Sequence, residues 1–462
     1  MSQKTDMLFA TLRQKSVLFV GIGVTNTPII KLFATKGIRV TVCDRKTREQ
    51  LGETYDEIAS WGAKMLVGDD YPDRLEADIV FRAPGVYFHS PLISDARKNG
   101  SVVTSDLEMF FDYCDCPIYG VTGSEGKTTT TTLISELLKR QGKCVHLGGN
   151  IGKCLFSQIE SVSHSDVAVV ELSSFQLLSM RSSPDVAVLT NITPNHLDVH
   201  GTMDEYIDSK KNVFLHQSAF GRCVLNADNE LTASFAPQVR GEVVFFSHEQ
   251  KPGNCVFLRD GAIWISYYGT ETRIVDTADI LIPGIHNVED FMAAFAAVWG
   301  KVSVENMVWV AKNFKGVEHR QELVRVLDGV KYYNDSIATT PTRTNAALNT
   351  FGANVVLIAG GYDKKIPFDS MVEPLLKAGK ALILTGATAD KIEAAVTAHP
   401  DYDAQKLPIH RVDCLADAVA KARELAVEGD IVTLSPACAS FDCYPNFEAR
   451  GIDYKNMVNA LK

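Results

Sequence analysis

A glycine-rich segment, Tyr119 to Thr130, contains the residue types that bind the phosphates of a nucleotide. Glycines such as Gly123 and Gly126 let backbone N–H groups face an anion, because no Cβ stands in the way. Lys127 adds a full positive charge at the start of an expected helix, whose dipole also favours an anion. The hydroxyl of Thr128 is placed to bind Mg²⁺. Although its glycine spacing is a variant of the strict template, the segment predicts a triphosphate-binding loop between a strand and a helix.

Charged side chains follow the next expected strands of the same region. Glu171 ends the apolar run 167–170, and strand ends in open α/β sheets face the ligand crevice. We therefore expect its carboxylate to hold Mg²⁺ beside Thr128. His196 follows another strand, and because Mg²⁺ prefers oxygen ligands, a hydrogen-bonding or water-mediated role suits it as well as direct ligation. Lys210, interpreted by itself, is a solvated helix lysine.

A second glycine-bearing turn, at 21–26, follows the first apolar run of the chain. With Asp44 after the next strand, it resembles a dinucleotide-binding fingerprint. Asn26 stands where the third glycine belongs, which argues against hydride transfer. The same layout suits a nucleotide diphosphate, with Asp44 accepting from a base or ribose and Arg45 or Lys46 facing phosphate. A tight turn without a ligand is the other interpretation.

Polar residues further along the chain are candidates for closing a nucleotide site. Asn287 lies at the start of an expected helix, Arg320 at the entry to a third region, and Asp335 at a strand end. From a mobile domain, Arg320 could pair with phosphate and Asp335 with ribose, which would exclude water. Each of these residues alone is equally well explained by ordinary structure.

Three series of short β-rich runs, each alternating with helical stretches, must position these side chains. This alternation is typical of parallel sheets with crossover helices. Runs between 243 and 265 are expected to extend the second sheet with antiparallel strands, a helix is expected over 288–299, and the third series is expected to begin near Val330. The sequence therefore predicts an α/β protein of three domains: a Rossmann-like domain at 1–105, a central P-loop-type domain with a mainly parallel sheet at 106–316, and a Rossmann-like α/β domain at 317–462.

Composition limits the class of protein further. The chain has 462 residues, of which 46% are apolar and 22% charged, as in ordinary globular proteins of about three domains. Its net charge of -10 argues against a nucleic-acid partner, since neutralising phosphates needs surplus Lys and Arg. No apolar run reaches the length of a signal-peptide core or a membrane span, so we expect a cytoplasmic protein. The ten scattered cysteines indicate reduced thiols rather than disulfides or a zinc ribbon.

Taken in order, these segments resemble the Mur ligase family over nearly the whole chain. Within the family, Ser435 to Ser440 and Asn446 to Gly451 are similar to the members that add D-glutamate. The segments that carry the resemblance lie at 21–25, 83–85, 120–130, 148–152, 171–176, 191–198, 286–287, 319–320, 334–336, 360–361 and 435–442.

The resemblance implies an ATP-dependent ligase that joins D-glutamate to UDP-N-acetylmuramoyl-L-alanine in peptidoglycan precursor synthesis. ATP would phosphorylate the carboxylate of the UDP-linked substrate, and the amine of D-glutamate would displace phosphate from the acyl phosphate. The family further implies two Mg²⁺ ions and a monomer. It also implies that Lys210 is converted to a carbamate, which supplies the oxygen ligands that an ammonium cannot.

Matching to the family's motifs also implies the site residues. ATP is assigned to Gly123, Gly126, Lys127, Thr128, Thr129, Asn287, Arg320 and Asp335. The UDP-linked substrate is assigned to Thr25, Asp44, Arg45 and Asn150, and D-glutamate to Thr339, Lys364, Ser440 and Phe447. The metal ligands would be Thr128, Glu171, His196 and Lys210, and the catalytic residues Lys127, His196 and Lys210.

Four residues depart from the family's pattern: Glu125 replaces Asn, Ile337 replaces Lys, Asp290 replaces Asn and Ala83 replaces Ser. Specificity therefore stays open, and a sibling ligase adding a different amino acid is the nearest alternative. A folate-polyglutamylating ligase is more distant, because that family lacks a UDP-binding first domain. Outside the ligases, the alternatives are a non-catalytic nucleotide-sensing module and an NAD-dependent oxidoreductase.

Overall fold

The computed structural model describes residues 3–194 and 197–462. Three mainly parallel β-sheets flanked by helices confirm the α/β fold class. The chain divides into two compact units: one comprises residues up to 279 together with 286–312, and the other comprises 280–285 and 313–462. The first unit contains the first two sheets and the second unit contains the third. The domain boundaries at 105 and 316 stay predictions.

The first sheet is built from five strands: β1 (Val17–Val20), β2 (Val40–Asp44), β3 (Lys64–Val67), β4 (Ile79–Arg82) and β5 (Val102–Thr104). The helices of this region are α1 (Gln3–Leu12), α2 (Asn26–Thr35), α3 (Arg48–Leu51), α4 (Glu53–Ser60), α5 (Pro91–Lys98) and α6 (Asp106–Tyr113). The strand order is β3-β2-β1-β4-β5, and all pairs are parallel. Since the strand order reverses at β1, the turn after β1 lies at the point where such sheets bind ligands.

The second sheet has nine strands: β6 (Ile118–Thr122), β7 (Val145–Gly149), β8 (Val167–Glu171), β9 (Val186–Leu189), β10 (Arg222–Asn226), β11 (Glu242–Ser247), β12 (Asn254–Arg259), β13 (Ala262–Tyr267) and β14 (Thr270–Asp276). Its helices are α7 (Lys127–Arg140), α8 (Ser174–Leu177), α9 (Leu197–His200), α10 (Met203–Lys211), α11 (Glu230–Ala233), α12 (Ile285–Val298) and α13 (Val304–Asn313). The order is β14-β13-β12-β11-β10-β9-β6-β8-β7. Strands β6 and β8 are fully buried, which explains their unbroken apolar runs.

The extension of this sheet differs in part from the expectation. Strand β11 pairs in parallel with β10, and β12 pairs in parallel with β11, so the antiparallel pairs of this extension are β12–β13 and β13–β14. Asp260 and Gly261 join β12 to β13, and both have positive φ (51° and 71°), as a type I′ hairpin requires. Apolar runs predict that strands exist, but the direction of a strand is set by its pairing partner, which was not visible in the sequence.

The third sheet has six strands: β15 (Glu322–Leu327), β16 (Val330–Asn334), β17 (Val355–Ala359), β18 (Gly379–Leu384), β19 (Ile409–Arg411) and β20 (Ile431–Leu434). Its helices are α14 (Pro341–Phe351), α15 (Val372–Ala378), α16 (Ala389–Thr397), α17 (Leu415–Leu425) and α18 (Phe447–Ala460). The order is β15-β16-β20-β17-β18-β19. The series begins at β15 rather than near Val330. This strand was not predicted because it is a half-exposed antiparallel edge strand whose charged residues interrupt the apolar pattern.

The two units have separate hydrophobic cores. One cluster of buried residues runs from Leu8 to Phe235 and includes apolar side chains from both of the first two sheets. Two other clusters contain buried residues of the third sheet, with Leu357 in one and Val356 in the other. Within the described part of the chain, no helix combines the length and apolarity needed to span a bilayer.

Candidate active site

The predicted phosphate-binding loop connects β6 to α7 and depends on its glycines. Gly126 caps α7 in the left-handed conformation (φ 78°), and Gly123 also has a positive φ of 156°. A Cβ on Gly126 would lie 2.3 Å from Asp290 Oδ1, and one on Gly123 would lie 1.9 Å from Thr190 Oγ1. Both positions therefore require glycine for their conformation and for space.

A neighbouring strand-end loop fixes the shape of the phosphate loop. The backbone N–H of Ser124 donates to Asn191 O (2.9 Å), and the N–H of Glu125 donates to Asn191 Oδ1 (2.9 Å). The Ser124 hydroxyl donates to Thr193 O (3.0 Å) and shares a hydrogen bond with the Tyr206 hydroxyl (2.9 Å). The side chain of Glu125 is exposed. Its unusual charge therefore lies at the surface of the loop.

Lys127 and Lys210 converge on one carbonyl oxygen of this loop. Lys127 Nζ donates to Gly123 O (3.0 Å) and Ser124 O (2.8 Å), while Lys210 Nζ donates to the same Gly123 O (2.7 Å) and to Thr122 Oγ1 (3.3 Å). Two lysine side chains beside the N-terminus of α7 form an environment suited to the charge of a triphosphate.

Lys210 is buried, with 2% of its surface exposed, so its interpretation as a solvated helix lysine was wrong. Its Nζ lies 4.8 Å from the centre of the Tyr206 ring. Burial, and secondarily the charge of Lys127, lowers the pKa of Lys210 to about 7. Because an amine is nucleophilic only when neutral, this environment makes Lys210 reactive at neutral pH.

Glu171 is the last residue of β8 and is 1% exposed. Its Oε1 accepts a hydrogen bond from Asn150 Nδ2 (2.8 Å), and the Asn150 N–H donates to Glu171 O (2.9 Å). Its buried Oε2 receives no hydrogen bond from any described residue. A buried carboxylate oxygen without a partner is costly, and a cation bound there would remove that cost. Glu171 Oε2 and the Thr128 hydroxyl are oxygen donors of the kind that Mg²⁺ prefers, so these residues fit the ion.

A partly buried hydrogen-bond network joins His200 to α10, and its members Tyr87 and Glu205 were not predicted from the sequence. The ring of His200 bonds to Ser174 Oγ (2.9 Å) and to Glu205 Oε1 (3.1 Å), and it stacks on Phe175 with centroids 4.9 Å apart. The Tyr87 hydroxyl donates to the same Glu205 Oε1 (2.6 Å). Since Glu205 lies on α10, this network helps to position the helix that carries Lys210. His196 lies outside the described residues, so its role stays a prediction.

Helix α12 begins at Ile285 and contains Asn287 and Asp290, which are both buried. The Thr130 hydroxyl donates to Asp290 Oδ1 (3.0 Å). The carboxylate that replaces the family's usual Asn is therefore an acceptor for the first turns of α7. Asn287 lies in the first turn of α12, which begins before the expected start at 288, and its contact with ATP stays a prediction.

In the first sheet, Asp44 holds the turn after β1. Asp44 Oδ2 accepts from the Ile22 N–H (2.7 Å), and its Oδ1 accepts from the Lys46 N–H (2.9 Å). Thr25 forms the N-cap of α2 without a side-chain cap bond, and the Arg45 guanidinium lies 5.5 Å from the Tyr71 ring centre. The structure thus explains Asp44 as a support of the turn, and contacts of Thr25, Asp44 and Arg45 with a UDP group stay predictions.

In the second unit, two of the predicted D-glutamate residues meet. Lys364 Nζ donates to Thr339 Oγ1 (3.2 Å). Asp335, immediately after β16, is 3% exposed and accepts from Ser435 Oγ (2.7 Å) and the Gln321 N–H (3.2 Å). Burial raises the pKa of Asp335 to about 7, although these hydrogen bonds and the charge of Arg320 oppose the shift.

Arg450 lies in the segment 446–451 that carries the family resemblance, but no role was predicted for it. In the structure it is the central residue of a second cluster of contacts, which joins the loops after β16 and β20. It is 5% exposed, and burial lowers its pKa to about 10. Its guanidinium donates to Ser336 Oγ (3.0 Å), Ser336 O (3.0 Å), Cys438 O (3.0 Å) and Ala439 O (3.2 Å). Arg450 therefore ties the loop after β16 to the loop that precedes Ser440.

Two further contacts complete the second cluster. The Ser336 hydroxyl donates to Phe447 O (2.8 Å), which brings predicted residue Phe447 beside the loop after β16. The Arg343 guanidinium donates to Ile337 O (3.0 Å). A positive charge thus lies at the position where the family's lysine is replaced by Ile337.

Comparisons with known proteins agree with this architecture. A family model of the Mur ligase middle domain matches residues 121–298, and one of the Mur ligase glutamate ligase domain matches residues 319–438. The chain is 48% identical over 455 residues to the UDP-N-acetylmuramoylalanine--D-glutamate ligase of Clostridium acetobutylicum, with 98% of each chain covered. It is 46% identical over 465 residues to the protein of the same name from Acetivibrio thermocellus, with 100% of each covered.

A solved structure shares the fold at low sequence identity. The crystal structure of a UDP-N-acetylmuramate-alanine ligase from Thermotoga maritima aligns with a TM-score of 0.56 and 18% identity, covering 97% of this chain and 100% of that one. The chain belongs to the Mur ligase family. It is accordingly an ATP-dependent ligase.

Proposed function

We propose that this chain adds D-glutamate to UDP-N-acetylmuramoyl-L-alanine, with cleavage of ATP to ADP and phosphate, in peptidoglycan precursor synthesis. The observation that carries this choice is the 48% identity over 98% of the chain to a D-glutamate ligase. The geometry supports the reaction class, because a phosphate-binding loop, a buried carboxylate and a buried lysine lie together in the first unit.

The reaction begins with phosphoryl transfer. The loop N–H groups, the N-terminus of α7 and Lys127 hold the triphosphate of ATP, with Gly123, Gly126, Thr128 and Thr129 lining it. The alanine carboxylate oxygen bonds to the γ-phosphorus as the bond to ADP breaks. The amine of D-glutamate then attacks the acyl carbon, loses a proton, and displaces inorganic phosphate to leave an amide.

Glu171 Oε2 and the Thr128 hydroxyl would hold Mg²⁺, which neutralises phosphate charge when bound. We propose that a second ion uses Lys210 as a carbamate, together with His196. The neutral Lys210 amine bonds to the carbon of CO₂ and releases one proton, which replaces a buried cation by oxygen donors. The pKa of about 7 supports this step, because a large fraction of the amine is neutral at physiological pH.

The other assigned residues bind the two organic substrates and the rest of ATP. Thr339, Lys364, Ser440 and Phe447 hold D-glutamate, with the Lys364 ammonium pairing with a carboxylate. Thr25, Asp44, Arg45 and Asn150 contact the UDP-linked substrate, and Asn150 also orients Glu171. Asn287, Arg320 and Asp335 contact ATP. We place the reaction in the cytoplasm, where ATP and nucleotide-linked sugars are made, and propose that the active form is a monomer.

Phosphate release from ATP tests the proposed function. We expect release only when UDP-N-acetylmuramoyl-L-alanine and D-glutamate are both present. Turnover without an amino acid, or equal turnover with L-glutamate, would contradict the proposal. Turnover with another amino acid in place of D-glutamate would instead identify a sibling ligase.

A further inference from the structure

Three side chains that bind transition metals meet at the end of the central sheet opposite the phosphate loop. Cys144, His146 and Asp166 each contribute one ligand atom, and these atoms all lie within 4.8 Å of one another. No other group of three His, Cys, Asp or Glu residues with this geometry is found in the described part of the chain. None of the three residues has a part in the proposed reaction.

The backbone fixes these three positions at the start of two adjacent strands. Cys144 immediately precedes β7 and His146 is its second residue, so their side chains point to the same face of the sheet. Asp166 immediately precedes β8, and β7 pairs with β8 in parallel with Val145 opposite Val167. The Val167 N–H donates to Cys144 O (2.9 Å), which extends the pairing to the ligand residues themselves. A site on paired strands is held more firmly than one on a loop.

The environment of each group suits an ion. His146 and Asp166 are largely buried, with side chains 13% and 12% exposed, and His146 Nε2 lies 2.9 Å from Asp166 Oδ2. The same Asp166 Oδ2 also accepts a hydrogen bond from the Ser163 N–H (3.0 Å), which fixes the direction of the carboxylate. Cys144 is exposed and gives an ion access from solvent.

We propose that Cys144, His146 and Asp166 form a binding site for a borderline-soft divalent cation such as Zn²⁺, distinct from the Mg²⁺ site at Glu171. One sulfur, one nitrogen and one oxygen donor match the ligand set of Zn²⁺ with three protein ligands and an open fourth position. Mg²⁺ is excluded, because it prefers an all-oxygen shell. The ion would take the place of the proton between His146 Nε2 and Asp166, with Nδ1 carrying the proton of the neutral imidazole, and the Cys144 thiol would release its proton to solvent on binding.

Titration with Co²⁺ in excess Mg²⁺ tests the site, because a thiolate ligand gives Co²⁺ a near-ultraviolet charge-transfer absorption that oxygen sites lack. We expect one Co²⁺ per chain with this absorption, displaced by Zn²⁺. Cys144→Ser should abolish it. Cys414→Ser is the matched control, since Cys414 is also exposed and lies beside a carboxylate, Asp417 (3.1 Å), but belongs to no three-ligand group among the described residues.

A second readout does not depend on the thiol. Zn²⁺ should raise the melting temperature of the wild type, and His146→Gln should weaken Zn²⁺ binding by at least about tenfold. Without metal, both variants should melt close to the wild type. Absence of the absorption in the wild type, or its retention in Cys144→Ser, overturns the proposal. Zn²⁺ binding of equal strength in His146→Gln overturns it as well.

Discussion

Burial gives Lys210 the chemistry of a reactive amine rather than that of an ordinary surface lysine. Its Nζ is hydrogen-bonded to one carbonyl and one hydroxyl, and its pKa of about 7 lies far below that of a solvated lysine. Lys211, the next residue, points toward the surface and pairs with Asp208. Two adjacent lysines on one helix thus have different chemistry because only one of them faces the loop after β6.

The pH dependence of stability should report the shifted pKa of Lys210. Between about pH 7 and pH 10 the unfolded chain holds one more proton at this lysine than the folded chain, so stability rises with pH in that window. From pH 7 to pH 9 in CO₂-free buffer, the wild type should gain about 2 kcal/mol over Lys210→Met. Urea unfolding at both pH values measures the difference, with Lys211→Met as the control. Parallel curves for wild type and Lys210→Met would contradict the shift.

Residue chemistry was partly predictable from the sequence. The types and spacing of Lys127, Thr128 and Glu171 were sufficient to predict that they lie at the same edge of the second sheet, because strand ends of parallel sheets converge. Lys210 was not predictable from spacing, since its burial depends on contacts with Thr122 and Gly123 far away in the chain. Only the family resemblance singled it out.

At the scale of the element, the β6–α7 turn requires Gly126, because Asp290 of α12 occupies the space where a Cβ would lie. Gly126→Ala would introduce both a left-handed alanine and a contact of 2.3 Å with a buried carboxylate. Gly142, just after α7, has a similar φ of 86° but open space around its missing Cβ. Gly142→Ala should therefore cost only the backbone strain of about 1–2 kcal/mol.

We expect Gly126→Ala to be clearly less stable than Gly142→Ala and to lose ATP binding, while Gly142→Ala keeps it. Chemical unfolding and nucleotide titration of both variants provide the measurement. Equal losses of stability, with ATP binding intact in both, would show that Asp290 moves away at little cost.

The loops after β16 and β20 depend on Arg450 in a similar way. Arg450→Lys cannot reproduce the forked donation to Ser336, Cys438 and Ala439. We expect the KM for D-glutamate to rise at least about tenfold, with a smaller change in the KM for ATP, because Cys438 and Ala439 precede Ser440, which we propose binds D-glutamate. Steady-state kinetics measure both constants.

Arg423→Lys is the control for that experiment, since Arg423 is a surface arginine of the same unit that pairs with Asp328. It should leave both KM values unchanged. If Arg450→Lys raises the two KM values equally, Arg450 does not act specifically on the amino-acid site.

Element types were more predictable than element pairing. Unbroken apolar runs identified β6, β8 and β17 because buried parallel strands are apolar on both faces. The parallel direction of β11 and β12 and the existence of β15 were not predicted. Their pairing partners and half-exposed surfaces, rather than their own sequences, determine these features.

At the scale of the whole molecule, two compact units with separate cores should not unfold as one. Val170 of β8 and Val356 of β17 are both fully buried valines on interior strands, one in each unit. Val170→Ala and Val356→Ala should each destabilise only their own unit, by about 2 kcal/mol. Differential scanning calorimetry should show two components, with a calorimetric enthalpy larger than the van't Hoff enthalpy.

The assignment of components completes this test. Val170→Ala should lower the temperature of one component and Val356→Ala that of the other. A single transition shifted equally by both variants would mean that the chain unfolds cooperatively as a whole.

Strand β8 separates two groups of ligands by a fixed length. Asp166 precedes its first residue and Glu171 is its last, so their Cα atoms are about 16 Å apart at the rise of an extended chain. A paramagnetic ion held by Cys144, His146 and Asp166 would broaden nuclear resonances by an amount that falls steeply with distance. The broadening of the phosphorus resonances of a bound nucleotide would then measure, during turnover, how far each phosphate lies from that ion at the opposite end of the sheet.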